Sequence, residues 1–161
     1  MDDQRYGTIP RDALLSLSGQ ELFDGISDGD LPMPTMGRSL AFHPVHIGNG
    51  TAVFEGTPTQ DHLNPLGTVH GGYAATMLDS AMACAIHSTL PPRRGLTTID
   101  LTINFVRPIT PGTGAVRATG TLIHGGGRIA TADGRLEDED GKLLAHGLTT
   151  CMLFPLESGP A

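Results

Sequence analysis

Along "LTTIDLTINFVRP", residues 96–108, the apolar Ile99, Leu101, Ile103 and Phe105 alternate with Thr98, Asp100, Thr102 and Asn104. A clean period of two puts one set on each face of a pleated backbone and predicts a strand. "SLAFHPVHI" and "TAVFEG", split by the turn "GNG", read as a first hairpin. "GAVRATGTLIH", "RIATADGRLED" and "KLLAHGLTTCMLF" supply three more strands, joined by turn signals at 125–127 (GGG) and 139–141 (EDG). Two stretches carry the helical period instead. "PRDALLSLSGQELFD", residues 10–24, opens on Pro and spaces Leu14, Leu15, Leu17 and Leu22 for one short amphipathic helix. After Gly71, the positions Met77, Leu78, Ala81, Met82 and Ala85 form a helical stripe. The other faces of that helix are almost as apolar, which predicts burial on most sides.

The predicted order is therefore a helix, two strands, a long central helix and four antiparallel strands. Residues 25–37, rich in Gly, Asp and Pro, read as a surface connector. Residues 57–70 form a loop of a length that is usually functional. One helix cannot cover both faces of such a sheet, so a remaining face or edge is expected to meet a partner subunit.

At 161 residues the chain has room for one ordinary domain. A formal charge of −7, from 17 acids against 10 bases, argues against a nucleic-acid partner, which needs a basic surface to displace counterions. The two cysteines, Cys84 and Cys151, sit in apolar runs without metal or redox spacing, which fits a reducing cytoplasm. The amino terminus is acidic where an export signal would be basic and then apolar. The longest apolar run, 71–86, is interrupted by Asp79 and Ser80 and is too short to span a membrane.

Chemistry concentrates in "HLNPLGTVHGGYAATMLDSAMACAIH", residues 62–87. Gly71 and Gly72 at a helix start would bare backbone N–H groups that have no intrahelical acceptor, at the positive end of the helix dipole. Such donors suit an oxygen that becomes negative, as in the tetrahedral intermediate of acyl transfer. The same glycines would equally serve close helix packing. Asp79 is harder to explain blandly. Its helical neighbours Ala75, Thr76, Met82 and Ala83 cannot neutralise it, so a chemical role is the better account. Gly71 and Asp79 lie eight residues apart, about 12 Å along one helix, so one carbonyl cannot touch both. A joint role requires two chains with their central helices antiparallel.

"HLNPLGTVHGG" followed by "LDSA" and then "TTIDLTINFVRP" resembles the hot-dog fold thioesterases of the phenylacetic-acid-degradation (PaaI-like) type, over about residues 38–154. The resemblance implies an α+β fold, an antiparallel sheet wrapped around a long central helix. A helix and connector over 1–37 would precede it and a tail over 155–161 would follow. It implies hydrolysis of acyl-CoA thioesters by homodimers paired into homotetramers, with no metal or prosthetic group. By position, Asp79 would be base or nucleophile, the Gly71 N–H the oxyanion donor, and Asn64 a holder of water or thioester. Thr98 would help place the water, with Thr97 competing for that part. His70 and Gly72 complete the motif, His70 as an organiser of the loop. For CoA phosphates, Arg107 and Arg128 stand at predicted strand ends, where guanidinium groups could fork onto an anion, although ordinary surface charge explains them equally well. Tyr73, Met77 and strand residues near Thr98 are candidates to line an acyl tunnel.

Other signals carry less. "HGGG" at 124–127 lacks the G-x-S-x-G elbow of lipases and reads as a hairpin turn. His43, His46 and His62 lack metal-ligand spacing, and Cys84 reads as a core thiol. A hydratase would want a His beside the acid, and a non-hydrolytic acyl-CoA-binding module would not need Asn64, Gly71 and Asp79 together.

Overall fold

A computed structural model describes residues 6–157. Three short helices come first, α1 (Arg11–Ser16), α2 (Gly19–Asp28) and α3 (Thr35–Ser39). Then follow β1 (Phe42–Gly48), β2 (Thr51–Gly56), the long α4 (Gly71–His87), β3 (Arg94–Phe105), β4 (Val116–Gly125), β5 (Ile129–Asp138) and β6 (Leu143–Pro155). The single helix expected over 10–24 is thus two. Ser18 divides them: its hydroxyl accepts the Glu21 N–H while the Glu21 carboxylate accepts the Ser18 N–H at 2.7 Å, a capping box that starts a new helix. Those Ser18 hydrogen bonds hold the Glu21 carboxyl below its usual range. The connector is not all loop either, because α2 runs on through Asp28 and α3 opens at Thr35.

The six strands form one antiparallel sheet in the order β1-β2-β4-β5-β6-β3. The first hairpin closes on Asn49 and Gly50, both at positive φ (52° and 78°), which is what a two-residue turn of this hand demands. α4 touches every strand, including the two edges β1 and β3, so the sheet curls around it in the hot-dog arrangement. Met77, Leu78, Ala81, Met82, Ala85 and Ile86 of α4 are fully buried against Ala52, Ala118, Ala130, Ala132 and Leu136 of the sheet. Each large side chain so buried stabilises the fold by roughly 1.5–3 kcal/mol. Small residues let the sheet approach closely: a Cβ on Gly120 would overlap the Ala81 backbone.

One stripe of α4 is not covered. Gly72, Thr76, Asp79, Ser80 and Ala83 remain partly or fully exposed, contrary to the expectation of burial on most sides. That stripe is made of small or polar residues, which need little cover from within one chain.

α2 docks on the far end of α4. The Gly19 N–H donates to the Leu90 carbonyl at 2.9 Å, and Phe23 meets the His87 ring edge-on with centroids 5.5 Å apart. Burial pushes the His87 imidazole below its ordinary value, so the folded chain favours the neutral ring. The unfolded chain then binds more protons below about pH 6.5, and stability rises with pH through that window. Denaturation midpoints are expected to be lower at a pH about one unit below the ordinary imidazole value of about 6.5 than at about pH 7.5, and His87→Phe, which keeps the aromatic contact, should flatten part of that drop. An unchanged pH profile in His87→Phe would refute this.

Candidate active site

α4 starts where the loop before it is pinned. His70 has extended backbone (φ −60°, ψ 136°) and its Nδ1 accepts the Gly72 N–H at 2.9 Å, capping the helix. The ring thus fixes the first turn of the helix. With Gly72 engaged, the Gly71 N–H has no acceptor among the described residues. Gly71 borders a cavity of about 290 Å³ lined also by Val69, His70, Phe105, Arg107 and Ile109. A Cβ on Gly71 would stand 3.1 Å from the Phe105 ring.

Asn64 stands in the preceding loop. Its Oδ1 accepts the N–H groups of Leu66 (2.9 Å) and Thr68 (3.3 Å), and its Nδ2 donates to the Thr68 hydroxyl at 2.8 Å. The side chain therefore shapes the turn through Gly67 and keeps one amide hydrogen unused among the described residues.

Two turns into α4, Asp79 emerges on the open stripe between the sheet's two edges. On one flank, Thr98 Oγ1 of β3 donates to Asp79 Oδ1 at 2.9 Å. The pairing of β3 with β6 slips between Thr98 and Asp100, leaving Ile99 as a bulge. Before the bulge Thr98 points inward opposite Cys151, whereas Thr97 is exposed on the other face. Of the two threonines, the fold brings only Thr98 to the carboxylate. On the other flank, Asp79 borders a cavity of about 250 Å³ with Met33, Met36, Phe42, Phe54 and Cys84. Tyr73 and Met77, expected to line an acyl tunnel, are instead core residues beneath the sheet. Periodicity marked them as apolar but could not say which way each faced. The residues that do line the cavity come largely from 33–54 and went unnoticed in the sequence, although "LPMPTMG" is an odd run of apolar residues for a connector.

Gly71 and Asp79 border different cavities, as their spacing demands. Arg107 lies beside Gly71, with its guanidinium donating to the Leu143 carbonyl. Arg128 lies in the β4–β5 turn, its carbonyl accepting the Leu153 N–H, whereas the Arg107 N–H donates to Leu144. Leu144 and Leu153 are opposite ends of β6, about 30 Å apart at strand rise, so one chain does not bring the two arginines to one anion.

Gly126 and Gly127 fall in the β4–β5 turn. Burial, and then the Asp79 charge, pushes the Cys84 thiol up to about 12, which makes it a poor nucleophile. Among the described residues no three His, Cys, Asp or Glu side chains converge as a metal site. No helix among them is long and apolar enough to cross a membrane.

The comparisons with known proteins agree with this fold. Residues 66–145 match the thioesterase superfamily profile. Human acyl-coenzyme A thioesterase 13 is 29% identical over 106 residues, covering 66% of this chain and 75% of the human protein. A phenylacetic acid degradation-related protein of Ralstonia eutropha superposes with a TM-score of 0.74 at 29% identity, covering 81% of this chain and 98% of that one. The TT0310 protein of Thermus thermophilus gives 0.66 at 30% identity, covering 73% and 95%. Sheet, helix and sequence match together show that the chain belongs to the thioesterase superfamily, as a thioester hydrolase of the hot-dog, PaaI-like type.

Proposed function

We propose that the chain hydrolyses acyl-CoA thioesters, with Asp79 activating the attacking water and the partner's Gly71 N–H stabilising the oxyanion. The observation that carries this reading is a carboxylate fixed by Thr98 at the edge of an apolar cavity on an otherwise uncharged helix face. Asp79 takes a proton as the water oxygen adds to the acyl carbon, and the carbonyl π electrons move onto oxygen. The alkoxide meets a helix N-terminus, where an unused N–H and the macrodipole favour negative charge. Collapse breaks the C–S bond, the thiolate leaves without a strong acid because it is a good leaving group, and Asp79 gives its proton to the thiolate or to bulk water, which restores the carboxylate. Thr98 orients the carboxylate, and His70 and Gly72 hold the helix start. Asn64 holds the loop and offers its remaining amide hydrogen to water or thioester. Arg107, beside Gly71, is the better placed of the two arginines to meet a CoA phosphate, and Arg128 would serve only through a different chain.

This reading requires a homodimer, and two features support one. β3, with Arg94–Phe105, is bonded only to β6, and its free edge carries Ile99, Leu101 and the 59% exposed Phe105. An edge of that length and character wants a cover. Beside it the small-residue stripe of α4 offers room for a second α4 laid antiparallel, which brings the Gly71 end of one to Asp79 of the other. Exposed Leu148, Met152 and Ile129 on the sheet's outer face support pairing of dimers into a homotetramer. No metal or prosthetic group enters this scheme. The unpaired thiols Cys84 and Cys151 suit a cytoplasmic setting.

The test is thiol release from a panel of CoA esters, aromatic and aliphatic. Stoichiometric free CoA with the acid is expected. Binding without turnover would indicate an acyl-CoA-binding module, and water addition to an enoyl ester with the thioester intact would indicate a hydratase.

A further inference from the structure

Resting on the thioesterase reading above, we infer that the cavity beside Asp79 receives the acyl tail, and that Met33 and Met36 of the N-terminal segment set which tails fit. The cavity runs between α4 and a wall made by α3 and the first hairpin, with Met33, Pro34 and Met36 on one side and Phe42 and Phe54 on another. The N-terminal part of that wall lies outside residues 66–145, which match the superfamily. The catalytic face and the selecting face are thus separate pieces of sequence.

Size and chemistry narrow the ligand. A dry cavity of about 150 Å³ is enough for a benzene ring. At about 250 Å³, the part of the cavity within one chain has room for a ring with its linking carbons or an unbranched alkyl tail of medium length. Among the described residues Asp79 is the sole charged side chain on its lining, and the other polar groups, Ser80 and Cys84, lie on the same helix face. Arg38 and His43 line an adjoining cavity that shares Met33, Gly37, Phe42 and Pro44 with this one, but neither is on the wall beside Asp79. The apolar lining suits a hydrocarbon tail, with its carbonyl at Asp79 and its end toward the methionines.

The methionine wall is adjustable. Thioether side chains have three rotatable bonds and fill irregular space. Met33 is buried and anchored, its carbonyl accepting the Gly7 N–H at 2.9 Å, with Arg38 stacked over Tyr6 nearby at 5.4 Å. Met36 is 53% exposed on α3, a five-residue helix with no side-chain cap. Met33 thus closes the deep wall, and Met36 stands at the rim.

The experiment compares kcat/KM for butanoyl-, hexanoyl-, octanoyl-, decanoyl- and phenylacetyl-CoA in the wild-type protein, Met33→Ala and Met36→Trp. Met33→Ala is expected to raise the decanoyl-to-hexanoyl ratio about 10-fold or more, because one or two methylenes in an apolar pocket discriminate by that order. Met36→Trp, at an exposed position that should tolerate the larger ring, is expected to lower the same ratio. A uniform change across all esters in both variants would overturn the inference while leaving hydrolysis intact. Should the wild-type protein release no thiol from any ester, the function reading fails and titration with S-hexyl- and S-decyl-CoA thioethers decides the inference alone. The same opposite shifts in relative affinity uphold it, and equal or absent binding overturns it.

Discussion

Asp79→Asn is expected to lower kcat/KM for thioester hydrolysis at least about 100-fold, the range typical for removal of an acid-base group. The thermal midpoint should stay close to that of the wild-type protein. Asn keeps the oxygen that accepts the Thr98 hydroxyl at 2.9 Å and occupies the same half-exposed position, so packing is untouched while the proton acceptor is lost. Thr98→Ala should cost less, because it frees the carboxylate to rotate but leaves it in place. Full hydrolytic rate in Asp79→Asn would remove the carboxylate from the chemistry altogether.

Gly71→Pro is expected to be the second severe loss, about 100- to 1,000-fold in kcat, the effect of deleting one oxyanion donor. Proline at the first helical position removes only an N–H that has no intrahelical acceptor and has a φ suited to helix entry. The residue before it must be extended, and His70 already is, at ψ 136°. The new ring carbons press on Phe105, a contact that the alanine control shares. Gly71→Ala is the control: it brings the same Cβ toward Phe105 but keeps the N–H, and should retain far more activity than the proline variant. Equal losses in both would mean that the glycine matters for space and not for its donor.

What the sequence disclosed follows from how local each signal was. β3 was legible because alternation is written into consecutive residues, and α4 because Met77, Leu78, Ala81 and Met82 repeat at helical spacing. Asp79 stood out because no neighbour within one helical turn could balance it, and the eight-residue gap to Gly71 already called for two chains. The division between α1 and α2 was missed although Ser18 and Glu21 form an S-x-x-E signature, because the leucine periodicity continues across it. α3 and the cavity wall were missed for a different reason. Proline and glycine made 25–37 look like a connector, and whether Met33 and Met36 face a cavity depends on strands and a helix distant in sequence. The bulge at Ile99, which turns Thr98 inward, depends likewise on the register with β6. Arg107 and Arg128 looked alike as strand-end cations, and only topology separates them to opposite ends of one strand.

The account stands on a site shared between protomers, and subunit mixing tests it. Asp79→Asn and Gly71→Pro proteins, each nearly inactive alone, are to be unfolded together, refolded as a mixture and assayed. Random pairing gives half heterodimers, each with one site made of an intact Gly71 and an intact Asp79, so about a quarter of wild-type activity should return. If the mixture shows no more than the sum of its parts, although heterodimers are demonstrated by mass, then Gly71 and Asp79 do not act together across the interface.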